Sequence, residues 1–521
     1  MSSKTIKRRV VKLNDGHQPS LFKDLPEMPV STCQPTVERA KPSMVFKDPD
    51  PRQIWLNEVR LDIHLQQAGQ GRPLKVRTLL DGMDWSRYEQ HYKPGGRRPY
   101  APRAILGLIV YGLMQGISSL RTLESFARTD LGCQWITGGI FPDHSVIGRF
   151  IQRHEAELTG KGFEQLTARV LQATGSGVES VAGDGTVIEA MASRFQLMKA
   201  EALEAAIAQQ REALATHEQP EDSAEHRRLE QLEQAHQTLV ERQNKRRAKG
   251  KKADHIQVNL QEPAAYLQPQ KDKKRFATSY KPSVLANTQR IVVAQAVDPA
   301  SECGVVDDLL EQAQQHGEID TALFDAGYFS QSVIEAAEKR NIELLCPEGR
   351  SVGDDWNKTS SRYYAKSLFQ YDPEQDCYYC PQGNRLTPRE QYRGNEQHPG
   401  YTLYATEACG ACPHKVDCTR SAKGRRIKRY TVDDAKDALR EKMQQPATRE
   451  RYVKRQGMVE PVFGYLRYQQ GFNRFRRKGL RGVRVEFSLH LMAYNLARAW
   501  AIGALLRFRT CILLRMRPLV A

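Results

Sequence analysis

Two apolar, strand-like segments that each carry an aspartate constrain the fold of this chain more than any other feature. In "VAGDGTVI" Asp184 stands between two glycines, and in "TALFDAG" Asp325 follows an apolar run. A carboxylate in apolar surroundings is costly unless a cation or hydrogen bonds compensate it, and glycine lets a large partner approach the backbone. The pattern around Asp184 indicates a bound metal ion or phosphate, and it is equally consistent with a tight turn that has Asp-Gly at its tip.

From Arg275 the sequence alternates between strand-like and helix-like segments. Residues 290–297 have a β-branched strand pattern, and the helical pattern that follows ends at Gly317. The segment of Asp325 is then followed by another helix and another strand. This order predicts a mixed α/β sheet in which the strands of Asp184 and Asp325 lie side by side.

Two carboxylates at the same level of neighbouring strands would repel each other, and one would take up a proton. Hard divalent cations such as Mg²⁺ remove this penalty, because they bind carboxylate oxygens and keep water ligands for a substrate. A pair of such ions can clamp the attacking and leaving oxygens of a phosphodiester. Glu460 is the candidate third carboxylate. Because it precedes Pro461, we expect it near the start of a helix, with Tyr452, Arg455 and Arg467 around it as candidate ligands of substrate phosphates. On spacing alone, an ordinary solvent-exposed glutamate on a helix explains Glu460 better than a third site carboxylate does.

Three motifs in order resemble the DDE transposases of bacterial insertion sequences. They are "GDGT", "LFDAGYFS" and a long segment that begins with "YVKRQGMVEPVFGYLRYQQGF". The last is similar to the Tyr-x₂-Arg…Glu-x₆-Lys signature of the family. Two departures stand out: four residues separate Arg455 from Glu460, where the family has three, and Arg467 stands where lysine is common. Arginine keeps the charge and alters the geometry of a phosphate contact.

The resemblance covers about residues 75–505 and implies the rest of the catalytic hypothesis. It implies an α/β fold with a ribonuclease-H-like mixed sheet and helices. Asp184, Asp325 and Glu460 would be the catalytic triad and would bind two Mg²⁺, or Mn²⁺ in their place. The activity would be metal-dependent cleavage of the ends of an insertion sequence and transfer of the cut strands to a target. The alternatives are a retired transposase that only binds DNA and a related nuclease that cuts without joining.

The positive charge of the chain is concentrated at one end. From Arg420 to the C-terminus there are 25 Lys and Arg against 7 Asp and Glu, whereas the whole chain has a net charge of +17, so the remainder is close to neutral. A basic field in one segment is typical of nucleic-acid binding. We expect duplex DNA, both element ends and target, as partner, bound by a homo-oligomer. The candidate backbone contacts in this segment are Arg474, Arg476, Arg477, Lys478, Arg481 and Arg484.

Residues 75–174 read as a helical domain. One helix is expected from Pro102 to about Gly116, and another begins after Asp143, a plausible N-cap. Arg149 and Arg153 fall on one face of this second helix, which resembles a helix-turn-helix-like DNA reader. An ordinary helical bundle fits the periodicity nearly as well. No apolar run is free of polar interruptions, so we expect no membrane span and a cytoplasmic, nucleoid-associated bacterial protein.

The remaining segments are a tail and two insertions. Residues 1–74 are polar and weakly patterned, as in a tail. The first part of the core, 175–350, contains a charged insertion at 193–270 that reads as an antiparallel pair of helices. Residues 351–425 form a Cys-rich insertion, and 426–521 complete the core with the helix of Glu460 and the basic segment.

Five of the ten cysteines fall within the Cys-rich insertion. Two C-x₂-C pairs separated by 28 residues suit a structural, tetrahedral Zn²⁺ with thiolate ligands, and free thiols are the alternative. Cys418 could replace one member of the set, and His414 is a weaker substitute. The expected ligands are Cys377, Cys380, Cys409 and Cys412.

Overall fold

The computed structural model describes most of the chain from Met44 to Arg515. The described residues are 44–95, 97–216, 220, 223–248, 250, 252–270, 275–349, 363–364, 366–394, 399–430 and 433–515. From Val45 onward the chain forms one compact unit. The first 43 residues of the expected polar tail lie outside the described part. Its later residues contain the helix Leu61–Gln67, with Leu61 and Leu65 fully buried one turn apart.

The first part of this unit is a short hairpin followed by helices. The helix from Pro102 ends before Gly116, which has a left-handed backbone (φ +79°), and Asp143 caps the helix of Arg149, as expected from the sequence. The elements are β1 (Trp55–Leu56), β2 (Val59–Arg60), α1 (Leu61–Gln67), α2 (Arg72–Asp81), α3 (Ser86–Glu89), α4 (Pro102–Met114), α5 (Leu120–Thr129), α6 (Leu131–Thr137), α7 (His144–Arg153), α8 (Glu155–Thr159) and α9 (Lys161–Thr174).

The charged insertion is a pair of antiparallel helices. The two helices contact each other through the Arg211–Glu233 ion pair and through His236 and Glu204. The earlier residue of one helix contacts the later residue of the other, as antiparallel packing requires. A two-stranded pairing in which Leu197 faces Asn259 joins the two ends of the insertion. The elements of this region are β3 (Ser180–Gly185), β4 (Ile188–Glu189), β5 (Leu197–Met198), α10 (Ala200–Thr216), α11 (Ala224–Ala248), β6 (Val258–Asn259) and β7 (Tyr266–Pro269).

A mixed sheet of seven strands forms the centre of the molecule. Five strands lie in the order β11-β10-β3-β8-β9, with β4 and β7 also paired to β8. Both β10 and β11 run parallel to β3, whereas β8 is antiparallel to β3 and to β9. The elements are β8 (Phe276–Asn287), β9 (Val292–Asp298), α12 (Val306–Gln314), β10 (Thr321–Leu323), α13 (Gln331–Glu338) and β11 (Glu343–Leu345). The expected alternation of strands and helices after Arg275 is confirmed.

The Cys-rich segment folds into a separate antiparallel sheet. Its strands follow one another in chain order, and the last of them ends at Tyr430, beyond the expected boundary at 425. A small core that includes Tyr378, Leu386 and Tyr404 packs on one face. The elements are β12 (Gln370–Asp372), β13 (Cys377–Tyr379), β14 (Arg385–Gly394), β15 (Pro399–Ala405), α14 (Lys415–Cys418) and β16 (Arg426–Tyr430).

Three helices complete the chain: α15 (Asp433–Gln444), α16 (Pro446–Tyr468) and α17 (Gly479–Arg515). The apolar first half of α17 contacts α4, α8, α9 and β9. Its polar side chains are paired inside the protein: Asn495 accepts from the backbone N–H of Val292 at 2.9 Å, and His490 bonds Gln470 at 2.6 Å. The apolar run is therefore buried in the core, and no helix in the described part of the chain is long and apolar enough to cross a membrane.

The expectation that Glu460 lies near a helix start is wrong. The first-turn proline of α16 is Pro446, and Pro461 lies in the interior of the helix. An interior proline cannot donate to the carbonyl four residues earlier. That carbonyl belongs to Gly457, and it accepts a hydrogen bond from Arg290 Nε at 2.9 Å instead. The arginine therefore compensates the missing bond and lets the helix continue.

Candidate functional site

Asp184 and Asp325 reach the same edge of the sheet. The parallel pairing of β3 and β10 aligns Ala182 with Leu323, and each aspartate lies two residues further along its chain. Asp325 also caps a short helical turn, with its Oδ1 accepting from the backbone N–H of Gly327 at 2.8 Å. The expected adjacency of the two aspartate strands is confirmed.

Arg455 from α16 joins the two aspartates. Its Nη2 lies 3.1 Å from Asp184 Oδ1 and 3.7 Å from Asp325 Oδ2, and it also donates to the carbonyl of Gly183 at 3.0 Å. Only 8% of Arg455 is exposed. A buried guanidinium requires negative charge beside it, so α16 is fixed against this edge of the sheet by the same carboxylates.

The charge on Asp184 is only partly compensated. The pKa of this carboxyl is raised to about 6, chiefly by burial, which Arg455 opposes and to which the charge of Asp325 adds. A carboxylate whose pKa rises in this way is one that additional positive charge would stabilise. The site therefore fits a divalent cation as an added partner of Asp184 and Asp325.

The glycines beside Asp184 have a packing role that sequence reasoning did not identify. A Cβ at Gly183 would overlap the ring of Phe324, and one at Gly185 would lie 2.8 Å from Cγ of Glu302. Neighbouring protein side chains already occupy the space that a larger residue would need.

Glu302 is a carboxylate of the site that no sequence pattern indicates. It follows β9, and its charge raises the pKa of Asp184. Lys281 Nζ lies 3.4 Å from its Oε1, so Glu302 already has a cationic partner. No motif marks it, because a turn after a strand brings it to Gly185 through the tertiary fold.

Glu460 lies on the helix of Arg455 with its side chain exposed. Its Oε2 accepts a hydrogen bond from Gln456 at 3.0 Å. Among the described residues, no hydrogen bond or ion pair connects it to Asp184 or Asp325. Five residues of helix carry Glu460 about 7.5 Å along the axis from Arg455, towards Arg467.

Arg467 and Tyr452 lie on either side of Glu460 along α16. Arg467 Nη2 donates to Thr186 Oγ1 at 2.5 Å and to the carbonyl of Val187 at 3.2 Å, just beyond Asp184. Tyr452 is half-buried, and burial with the nearby aspartates raises its pKa. Arg455 and Arg467 therefore hold α16 along the end of β3, with Glu460 between them.

Arg149 and Arg153 line a groove in the helical region. The groove has a volume of about 350 Å³, and Arg153 stacks on Tyr92 with 4.8 Å between guanidinium and ring centre. In the part of the chain that the structure describes, none of its arginines has an ion-pair partner. We call this the basic groove; Asp143 is its one acidic lining residue among those described, and its cationic and aromatic lining residues are Lys47, Tyr92, Arg97, Arg98, Tyr100, Arg149, Phe150 and Arg153.

The basic segment near the C-terminus divides into structural and exposed members. Arg474 donates to the carbonyls of Ala190 and Ala192, and Arg484 donates to that of Val297. Arg477 is half-buried beside Glu486. Arg474 and Arg484 are exposed as well. Arg476, Lys478 and Arg481 are exposed and, among the described residues, donate to no backbone carbonyl, and Arg481 lies 3.5 Å from Glu155.

The cysteines do not gather as expected. A cavity of about 20 Å³ is lined by Cys380, Cys409, Cys412 and Cys418, with His414 beside them. Cys377 is fully buried in β13 and is not among the lining residues. Among the described residues, no three of these cysteines bring their sulfur atoms within 4.8 Å of one another. The cavity therefore contains three of the four expected ligands together with Cys418, which was expected only as a possible replacement for one of them.

Two family models match the chain. The one described as Transposase DDE domain matches residues 379–500, and the one described as Transposase domain (DUF772) matches residues 64–153. The first contains Glu460 and Arg455, and the second contains Arg149 and Arg153, whereas Asp184 and Asp325 lie outside both. No curated protein matches the chain.

Proposed function

The chain belongs to the insertion-sequence DDE transposases, with two matched transposase domains, and we propose that it cuts the ends of its element and joins them to target DNA. The observation that carries this proposal is the convergence of Asp184 and Asp325 on one cation, the guanidinium of Arg455. Two carboxylates that converge at a sheet edge could hold the divalent ions that metal-dependent phosphodiester chemistry uses.

We infer a ribonuclease-H-like core from the central sheet. In chain order its five main strands are β3, β8, β9, β10 and β11, and their spatial order is β9-β8-β3-β10-β11. A three-stranded antiparallel part is thus extended by two strands parallel to β3. This arrangement supports the family's fold and puts Asp184 on the central strand.

The metal ligands would be Asp184 and Asp325, completed by Glu460 from α16, and Mg²⁺ or Mn²⁺ suits such an oxygen set. When bound, these ions supply a nucleophile from water or a 3′-hydroxyl and neutralise charge on the phosphodiester. The role of Arg455 is to hold both aspartates in position and to limit their repulsion. Arg467 keeps α16 beside Thr186, and Tyr452 closes the apolar side of the site.

The same family relationship makes DNA the substrate, and two surfaces fit it. The basic groove presents Arg149 and Arg153 on one helix face, which suits recognition of the element ends. The exposed Arg476, Lys478 and Arg481 suit contacts to the phosphate backbone, which carry no sequence information directly.

The activity is tested with the DNA that flanks both sides of the gene, incubated with the purified chain and Mg²⁺. We expect cutting at the element ends and covalent joining to a second duplex. Binding without cutting would instead identify a retired transposase. Cutting without joining would identify a nuclease.

The two DNA surfaces should respond differently to substitution. Neutralising Arg476, Lys478 and Arg481 together should weaken binding to all duplexes equally, and each lost phosphate contact should lower the log-log salt slope by about 0.9. Arg149→Ala with Arg153→Ala should mainly remove the preference for the element ends. Salt titrations with end and random duplexes measure both effects.

The matched control for charge is a triple variant of Arg228, Lys245 and Arg246, which are exposed on the charged insertion. This control should change neither the salt slope nor the preference for the element ends. If the C-terminal triple variant loses only its preference for the ends and keeps its salt slope, the two surfaces have the opposite roles.

For the cysteine cavity we propose a structural zinc ion held by Cys380, Cys409, Cys412 and Cys418. Cys380→Ser or Cys409→Ser should remove about one zinc per chain from freshly purified, reduced protein, because metal affinity depends on the complete ligand set. Cys377→Ser should retain it. Elemental analysis decides, and zinc loss from the Cys377 variant alone would restore the set expected from the sequence.

A further inference from the structure

A second group of possible metal ligands lies in the helical region, far along the chain from the catalytic residues. His91, His154 and Glu157 each offer one ligand atom, and these atoms all lie within 4.8 Å of one another. His91 follows α3, His154 caps the C-terminal end of α7, and Glu157 belongs to α8. Three separate elements therefore converge on one point.

The hydrogen bonds of this group are incomplete. His91 Nε2 lies 2.8 Å from Glu157 Oε1, and Tyr92 Oη lies 3.2 Å from His154 Nε2. His154 is fully buried, and its Nδ1 has no partner. Glu157 Oε2 and the hydroxyl of Tyr88 are likewise buried without a partner. Buried polar groups are nearly always satisfied, so three unpaired atoms at one place indicate an atom that the protein itself does not supply.

We propose that His91, His154 and Glu157 bind a divalent transition-metal ion, with Zn²⁺ as the best fit. Two imidazole nitrogens and one carboxylate oxygen form a common three-ligand set for zinc. When Tyr92 accepts from Nε2–H of His154, the lone pair of Nδ1 is free for a metal. Such a second contact is what usually fixes the tautomer of a ligating histidine.

A buried water molecule is the competing occupant. Water could donate to Nδ1 of His154 and to Glu157 Oε2, and it would need two to four polar partners in all. A carboxylate beside a fully buried imidazole whose Nδ1 has no partner favours a cation over water.

The ion would connect the two sides of the basic groove. His91 and Tyr92 belong to the segment that leads to Arg97 and Arg98, whereas His154 directly follows Arg153. The ring of Tyr92 lies under Arg153, and its hydroxyl bonds His154. A metal held by His91 and His154 would therefore fix the distance between the two arginine-bearing segments. This role is independent of the catalytic carboxylates.

The test uses the full chain, stripped with a chelator and reloaded with Zn²⁺ or Co²⁺ alone. Wild-type protein should bind one ion that His91→Gln and Glu157→Gln each lose or bind at least tenfold more weakly. The matched control is His144→Gln, since His144 also pairs with a glutamate, Glu124, at 2.8 Å. The control should bind as wild type does.

Cobalt separates this site from the cysteine cavity, because only thiolate ligands give strong near-ultraviolet charge-transfer bands. We expect the His91 variant to lose cobalt bands in the visible region and to keep any thiolate bands. His91 is exposed, so its replacement avoids the folding risk of replacing His154. Equal metal content and affinity in wild type, His91→Gln and Glu157→Gln would overturn the proposal and leave water as the occupant.

Discussion

Asp184→Asn and Asp325→Asn should each reduce DNA cleavage and strand transfer by a factor of about 10³ or more. A metal ion contributes several kcal/mol of charge stabilisation to a phosphodiester transition state, and about 1.4 kcal/mol corresponds to a tenfold change in rate. The amide keeps the shape of the side chain and removes the ligand charge. DNA affinity, measured at one salt concentration, should change by less than about threefold because the basic surfaces are untouched.

The control for these two variants is Asp320→Asn, an exposed aspartate just before β10, which should retain full activity. Activity above about one tenth of wild type in either aspartate variant would contradict its assignment as a metal ligand.

The same assay shows whether Glu460 or Glu302 is the third carboxylate ligand. Glu460→Gln should match the aspartate variants, whereas Glu302→Gln should cost less than about tenfold, since Glu302 already pairs with Lys281. The reverse order of effects would make Glu302 the third ligand. This comparison matters because Glu302 lies beside Gly185, while Glu460 is exposed and bonded to Gln456.

Arg455→Met should destabilise the metal-free protein at pH 8 by about 3 kcal/mol or more. Methionine has a similar length, so the change removes the charge and leaves little cavity. Breaking a buried ion pair by removing one partner is strongly destabilising, because the other charge is left without compensation. Denaturant unfolding with and without Mg²⁺ measures the effect, and Mg²⁺ should restore more stability to the variant than to wild type.

The loss should depend on pH in a defined direction. The pKa of Asp184 is raised from 3.8 to about 6 in the folded protein. The free-energy penalty for ionising this buried carboxyl therefore grows as pH rises from about 4 to 6, and it is constant above that range. Without Arg455 the pKa rises further, so the variant should lose less stability at pH 5 than at pH 8. Equal losses at both pH values would show that lost packing, and not charge, is responsible.

The sequence predicted the parts of the fold that depend on local patterns. Strand and helix periodicity located β9, α12, β10, α13 and β11, and the order of these elements predicted that β3 and β10 are neighbours in a mixed sheet. The charged helical pair was also evident from composition. The long strand β8 was not predicted, because most of its residues are buried and no simple alternation marks it.

The site was less accessible to the same reasoning where residues act through tertiary contacts. Pro461 suggested a helix start, yet Arg290 from the turn before β9 compensates the carbonyl that this proline leaves free. Glu302 has no motif and reaches Asp184 only through the turn after β9. For the cysteines, a C-x₂-C spacing did not reveal that Cys380 lines the cavity whereas Cys377 is buried in β13 away from it.

The pairing of Leu197 with Asn259 has a consequence for how such chains change in length. The charged helical pair leaves the core and returns to it at adjacent positions. For the central sheet it is therefore equivalent to one loop whose two ends lie side by side. The entropy of closing a loop grows slowly, by about 0.6 kcal/mol for each doubling of its length. Segments of very different size could therefore be exchanged at this point during evolution, with little effect on the register that aligns β3 with β8.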